Sequence, residues 1–147
     1  MKSVITAAAI LAATAGGAAA DGAAVFDNSC AFCHQAGGVG VPGQFPRLAG
    51  RVGVIAAKPE GKKFLPQILL GGMSGRITVD GEQILGIMPA FNTLSDDDIA
   101  SVLSYLSGLD HAPIVFTADE IKDARAQPAP ADMMAERARL SAAKIVP

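Results

Sequence analysis

Five consecutive residues, Cys30-Ala31-Phe32-Cys33-His34, constrain this chain more than any other stretch, and its 147 residues contain no cysteine besides these two. A C-x-x-C-H run is the attachment pattern of a c-type haem. Two thiols at this spacing can add across the two vinyl groups of one porphyrin, and the adjoining His34 is then held under the iron as a proximal ligand. A chain so built folds around a flat apolar cofactor. The scarcity of aromatics (5%) and the absence of tryptophan fit a core that a large cofactor helps to fill. Two other readings stay open on the motif alone. A C-x-x-C redox dithiol would normally open a helix just after a strand, whereas Ala23 to Ser29 reads as a short helical stretch. A zinc site would need further ligands, and His111 is the one histidine left to supply them.

The N-terminus reads as an export signal. Lys2 gives a basic start, Val4 to Ala15 an apolar run, and Ala18-Ala19-Ala20 a small-residue cleavage site. The mature chain is expected to begin near Asp21, outside the cytoplasm and in the periplasm, with no membrane span after cleavage. An uncleaved anchor is the alternative, although the apolar run is short for a spanning helix. Export suits the motif, because thioether bonds take both thiols out of disulfide chemistry. Loss of Lys2 leaves 11 basic against 14 acidic side chains, a net charge of −3. That balance speaks against nucleic acid, which calls for a basic patch.

Along the mature chain, a first helix is expected from about Gly22 to Cys33. A turn-rich loop follows, with Gly37-Gly38, Gly40, Pro42-Gly43 and Pro46. Arg51 to Gly61 reads as further loop. A short helix is expected over Leu65 to Leu70, with Pro66 in its first turn. Ile77-Thr78-Val79 and Gln83-Ile84-Leu85 flank Asp80-Gly81, a hairpin signal of small extent. Asp96 to Leu106 is the clearest helix: Ser95 can cap it, three aspartates sit at its positive end, and Ile99, Val102, Leu103 and Leu106 form an apolar stripe. Beyond Pro113 the composition changes. Thr117 to Glu120 forms a capping box, Pro128-Ala129-Pro130 breaks the chain, and Asp132 can cap a last helix. On one face of that helix fall Met133, Arg137, Leu140 and Lys144, and on another Met134, Ala138 and Ser141. Such stripes are read as packing against the body of the protein, with docking onto a partner subunit as the alternative. The organisation expected is a leader (1–20), a haem domain (21–110) and a helical extension (111–147).

A haem iron bound by one histidine keeps an open side. Electron transfer favours closing it, and a methionine thioether stabilises Fe(II) and raises the potential. Met88, in Gly86-Ile87-Met88-Pro89-Ala90-Phe91, is the candidate: Pro89 stiffens the backbone beside it and Phe91 can pack along the haem edge. Met73 is assigned to the surface or the pocket lining, and His111 to a solvated linker rather than a bis-histidine site. The proximal histidine also needs its second ring nitrogen held. The carbonyl of Pro46 is the candidate acceptor, with plain turn chemistry as the other account of that proline.

With these residues in view, the chain resembles a class I (mitochondrial-type) monohaem cytochrome c. The resemblance rests on C-A-F-C-H at Cys30 to His34, F-P-R-L-A-G at Phe45 to Gly50, G-I-M-P-A-F at Gly86 to Phe91, and a later helix carrying Tyr105. It implies an all-α, haem-centred fold with a short β-hairpin excursion and a C-terminal helical extension. It implies that Gly22 and Phe26 pack against Tyr105, that Pro46 accepts from the proximal histidine, and that Leu48 lines the haem pocket. The chain lacks the tryptophan that some members place near a propionate; Arg47, Arg51 or Arg76 can take that place or be ordinary solvated arginines. The segment from Ser74 to Phe91 is similar to small cytochrome c subunits of periplasmic dehydrogenases. That likeness implies a quinoprotein or molybdenum dehydrogenase as electron donor, and a further cytochrome or terminal oxidase as acceptor.

The site residues expected are therefore Cys30, Cys33, His34, Pro46, Leu48, Met88 and Phe91, with His34 and Met88 on the iron of one covalent haem c. The function expected is single-electron transfer without catalysis. A haem enzyme or gas sensor with a displaceable sixth ligand is the alternative. It would need an open distal side and a distal acid–base group.

Overall fold

The computed structural model describes residues 20–109 and 112–147. Residues 1–19 of the expected leader, and His111, lie outside the described residues. Among those described, seven α-helices and one hairpin follow in order: α1 Gly22–Ser29, α2 Ala31–His34, α3 Val52–Ala56, α4 Pro59–Gly71, β1 Met73–Val79, β2 Glu82–Met88, α5 Asp96–Gly108, α6 Ala118–Ala126 and α7 Met133–Ala142.

The core forms where α1 crosses α5. Phe26 and the α5 stripe Ile99, Val102, Leu103 and Leu106 are all 4% exposed or less. The Phe26 and Tyr105 rings pack 5.8 Å apart with their planes tilted by 45°. Gly22 makes this crossing possible: a Cβ there would overlap the Ser101 carbonyl oxygen and lie 2.8 Å from Tyr105 Cβ. The packing of Gly22 and Phe26 on Tyr105 is thus as expected. Helix α5 starts at Ser95, whose hydroxyl accepts from the Asp98 N–H at 3.0 Å, and it runs through Gly108 to a cap at Leu109.

Three expectations need correction. The first helix is broken at Cys30 (φ −121°, ψ −35°), so α2 is a separate turn ending on His34. The segment read as loop from Arg51 to Gly61 contains α3 and the start of α4, which bury Val52, Ile55 and Ala56. Helix α4 begins at Pro59, a good first-turn residue, so Pro66 lies inside the helix. Burial of Phe64, Leu65, Pro66 and Leu69 on one side of α4 outweighs the hydrogen bond that Pro66 cannot make.

The hairpin is larger than its sequence signal. Its strands are seven residues each, in register from Met73↔Met88 to Val79↔Glu82. Asp80 and Gly81 both take positive φ (53° and 84°), as a two-residue I′ turn requires. The pair Gly75↔Gly86 sits mid-ladder, and glycine carries no strand signal.

The tail returns to the body. Ile121 and Leu140 are fully buried, and Ile145 and Val146 nearly so. The Thr117–Glu120 capping box opens α6, and Asp132 caps α7 through the N–H groups of Met134 and Ala135.

Candidate functional site

The expected ligand residues gather around one apolar cleft of about 300 Å³. Helices α1 and α2 contribute Cys30, Phe32, Cys33 and His34, the following loop Phe45 and Pro46, and the hairpin Met73, Gly75, Ile77, Ile84, Gly86, Ile87 and Met88, with Pro89 and Phe91 beyond it. Six of the seven expected residues line the cleft. The seventh, Leu48, is half-buried and packs against the apolar core cluster.

His34 is buried, and its Nδ1 donates to the Pro46 carbonyl at 2.9 Å. That bond fixes the ring and leaves Nε2 as the nitrogen free to bind a metal. Burial lowers the imidazole pKa below its ordinary value, and the Pro46 bond partly opposes it. The net lowering suits a neutral ligand. The Gly38 carbonyl takes the N–H groups of Leu48 and Ala49 at 2.8 and 3.1 Å, which steadies the loop that aims Pro46.

Both cysteines are free thiols. Burial pushes the Cys30 thiol up to about 11, so at neutral pH it stays protonated. A dithiol redox centre needs a thiolate nucleophile with a depressed pKa, and Cys30 has the reverse. Among the described residues, no three His, Cys, Asp or Glu side chains form a metal-ion site of their own.

The cleft fits a haem. A thiol pair and an imidazole stand on the α2 side and a thioether, Met88, on β2, with almost wholly apolar lining between. Gly86 leaves open space where a Cβ would stand. At the cleft mouth Phe32 is 93% and Ile87 81% exposed, so the site opens to solvent over an apolar rim.

Sequence reasoning missed Phe45, brought in by the loop after α2, and Ile77 and Ile84, whose place follows from strand alternation only once the hairpin's length is known. It also missed Met134, which reaches the cleft from α7. Arg47 and Arg51 join around Asp80 at 2.9 and 3.5 Å rather than standing alone in solvent. Arg76 is exposed and donates to Gln83 at 3.2 Å across the hairpin.

The family model for cytochrome c matches residues 19–110. A cytochrome c-552 of Thermus thermophilus is 42% identical over 130 residues, covering 84% of this chain and 87% of the relative. The fructose dehydrogenase cytochrome subunit of Gluconobacter japonicus is 35% identical over 114 residues, 72% of this chain and 22% of its own. The cytochrome c subunit of a quinone alcohol dehydrogenase from Gluconobacter oxydans is 32% identical over 118 residues, 78% of this chain and 24% of its own.

Proposed function

The chain belongs to the cytochrome c family, electron carriers with a covalent haem c, and from that premise we propose a periplasmic carrier whose iron is ligated by His34 and Met88. The observation that carries this reading is the apolar cleft lined by Cys30, Cys33, His34 and Met88 together. The Pro46 bond to Nδ1 of His34 supports it, because it presents Nε2 in the neutral tautomer. Cys30 and Cys33 take the two thioether bonds. Bound haem c supplies the one-electron couple, Fe(III)/Fe(II). His34 and Met88 would hold the iron through the change of charge, the apolar lining would exclude water, and Phe32 and Ile87 leave an apolar rim for contact with a partner.

The domain division is a cleaved leader over 1–20, a carrier domain over 21–110 and an extension over 111–147. The dehydrogenase cytochrome subunits among the relatives support a dehydrogenase as donor; in this reading it is periplasmic and of quinoprotein or molybdenum type. The acceptor is a further cytochrome or a terminal oxidase. Among the described residues no helix is long and apolar enough to cross a membrane.

The test is optical. The ferric holoprotein is expected to show the far-red charge-transfer band of methionine–iron ligation, lost in Met88→Ala and kept in Met73→Ala. The reduced protein is expected to bind carbon monoxide slowly, and Met88→Ala rapidly. A band that survives Met88→Ala would overturn the ligand assignment, and rapid carbon monoxide binding by the unaltered protein would favour a sensor or enzyme.

A further inference from the structure

Helix α7 lies beyond the matched family region, which ends at residue 110. Its hold on the body comes from Leu140, with Ile145 and Val146 just after it, all buried. Met134 and Arg137 are not needed for that hold, being only half-buried; Met134 reaches the haem cleft, and Arg137 the hairpin strand that borders it. Met134 lines it beside Met73, Gly75 and Ile77. Position 75 is kept bare for it: a Cβ there would sit 3.2 Å from Met134 Cγ, and the φ of 138° is one that side chains rarely adopt. One turn further along α7, Arg137 donates to the Thr78 carbonyl at 3.2 Å, next to the cleft residue Ile77.

Arg51 reaches the same corner from the loop that follows Pro46. It is almost wholly buried, 3.5 Å from Asp80, and it donates to the Pro147 backbone oxygen. Asp80 is also gripped by Arg47 at 2.9 and 3.0 Å. Burial, and then the nearby charge of Arg51, pull the Arg137 pKa below its ordinary value. Among the described residues, Arg137 has no carboxylate partner. The charged groups facing this corner are Arg47 and Arg51 from the loop, Asp80 from the hairpin turn, Arg137 from α7 and the terminal carboxylate of Pro147 against Arg51, three cations to two anions. Cationic side chains outnumber anionic ones there, beside an otherwise apolar cleft. Haem has the matching asymmetry: an apolar macrocycle with two propionates on one edge.

We propose that α7 is a wall of the haem site, with Met134 packed on the porphyrin flank and Arg137, together with Arg51, receiving a haem propionate. This rests on the haem c reading of the cleft and not on Met88 as ligand. The chemistry recognised is a carboxylate, and a solution anion would share it.

The experiment measures the midpoint potential of the holoprotein against pH. Arg137→Gln is expected to move the propionate inflection up by roughly one pH unit or more, and Arg137→Lys to keep most of the wild-type behaviour. Arg139→Gln is the control, since it removes the same charge from the same helix where the partners are Glu60 and Glu136; its curve is expected to match wild type. Met134→Ala is expected to lower the potential at every pH by admitting water to the flank, and Met134→Leu to restore it. The wild-type curve is expected to ignore added inorganic phosphate at fixed ionic strength. The proposal is overturned if Arg137→Gln or Met134→Ala superimposes on wild type, if Arg139→Gln shifts as much as Arg137→Gln, or if phosphate moves the wild-type curve and Arg137→Gln abolishes that response. Failure of the Met88 reading shows separately, as a far-red band that persists in Met88→Ala.

Discussion

At the scale of single residues, two positions tie the fold to the haem site. Gly22 sits where α1 crosses α5, and its missing Cβ makes room for Ser101 and Tyr105. Helix propensity alone would reward Gly22→Ala by about 1 kcal/mol, but forced overlap in a packed crossing costs about 1–3 kcal/mol. A net destabilisation is therefore expected, read as an earlier guanidinium midpoint of the holoprotein; a later midpoint would show that the crossing can relax. His34 ties the site to pH. Burial lowers its pKa from the ordinary 6.5, so between that value and its folded pKa the unfolded chain binds the proton that the folded chain refuses. The stabilisation is complete above pH 6.5 and is lost as pH falls toward the folded pKa. Iron binding at Nε2 acts with the same sign, since a proton competes for that nitrogen. The depressed carboxylates Asp80, Glu120 and Glu136 begin to weaken the fold only below their ordinary values of 3.8 to 4.5. Unfolding free energy is thus expected to be flat from pH 8 to 6.5 and to decline as pH falls below 6.5. Greater stability at pH 5 than at pH 7 would contradict the assignment of a buried neutral His34.

At the scale of elements, legibility followed how local each signal was. Helix α5 could be read because Ser95, three aspartates and an apolar stripe all act within one segment, and its cap is formed as read. Ser95→Ala is expected to cost about 1 kcal/mol, seen as a lower melting temperature with the optical spectrum of the haem unchanged. Helix α3 and the first turns of α4 were hidden because Gly53, Lys58, Pro59 and Gly61 look like loop residues. What holds them is tertiary: Gly61 lets α4 pass against the Ile55 backbone, and Val52, Ile55 and Phe64 are buried together in the core. The hairpin was read at its turn and under-read along its length, since Gly75 faces Gly86 and the ladder ends on Met73 and Met88, none of them strong strand formers. That error mattered for the site. Once the strands reach residues 73 and 88, alternation puts Met73, Gly75 and Ile77 on one face, and all three line the cleft.

At the scale of the whole molecule, the covalent motif, its histidine and the candidate methionine were legible because short motifs carry their chemistry with them. The part played by the tail was not, because it depends on where a chain some hundred residues downstream comes to rest. The α7 stripe read as packing does pack: Leu140 is fully buried and Met133 lies against the core cluster, while Lys144 remains exposed. The second stripe holds Met134, which borders the haem cleft instead. Two residues of this helix, the buried Leu140 and the cleft-lining Met134, separate stability from redox tuning, and the separation can be measured. Leu140→Ala leaves a cavity between α7 and the body and is expected to cost about 2–5 kcal/mol. For a chain of this length each kcal/mol lowers the melting temperature by roughly 2–4 °C, so a fall of about 4–20 °C is expected. At temperatures where the variant is still folded, its midpoint potential should stay close to wild type, because Met134 and Arg137 remain in place. Met134→Ala should do the reverse, with a small thermal effect and a lowered potential. If Leu140→Ala melts like wild type, α7 is not held to the body by its buried leucine. In that event the same stripe becomes available to a partner, and deletion of residues after Pro128 should weaken dehydrogenase binding while leaving the melting temperature unchanged.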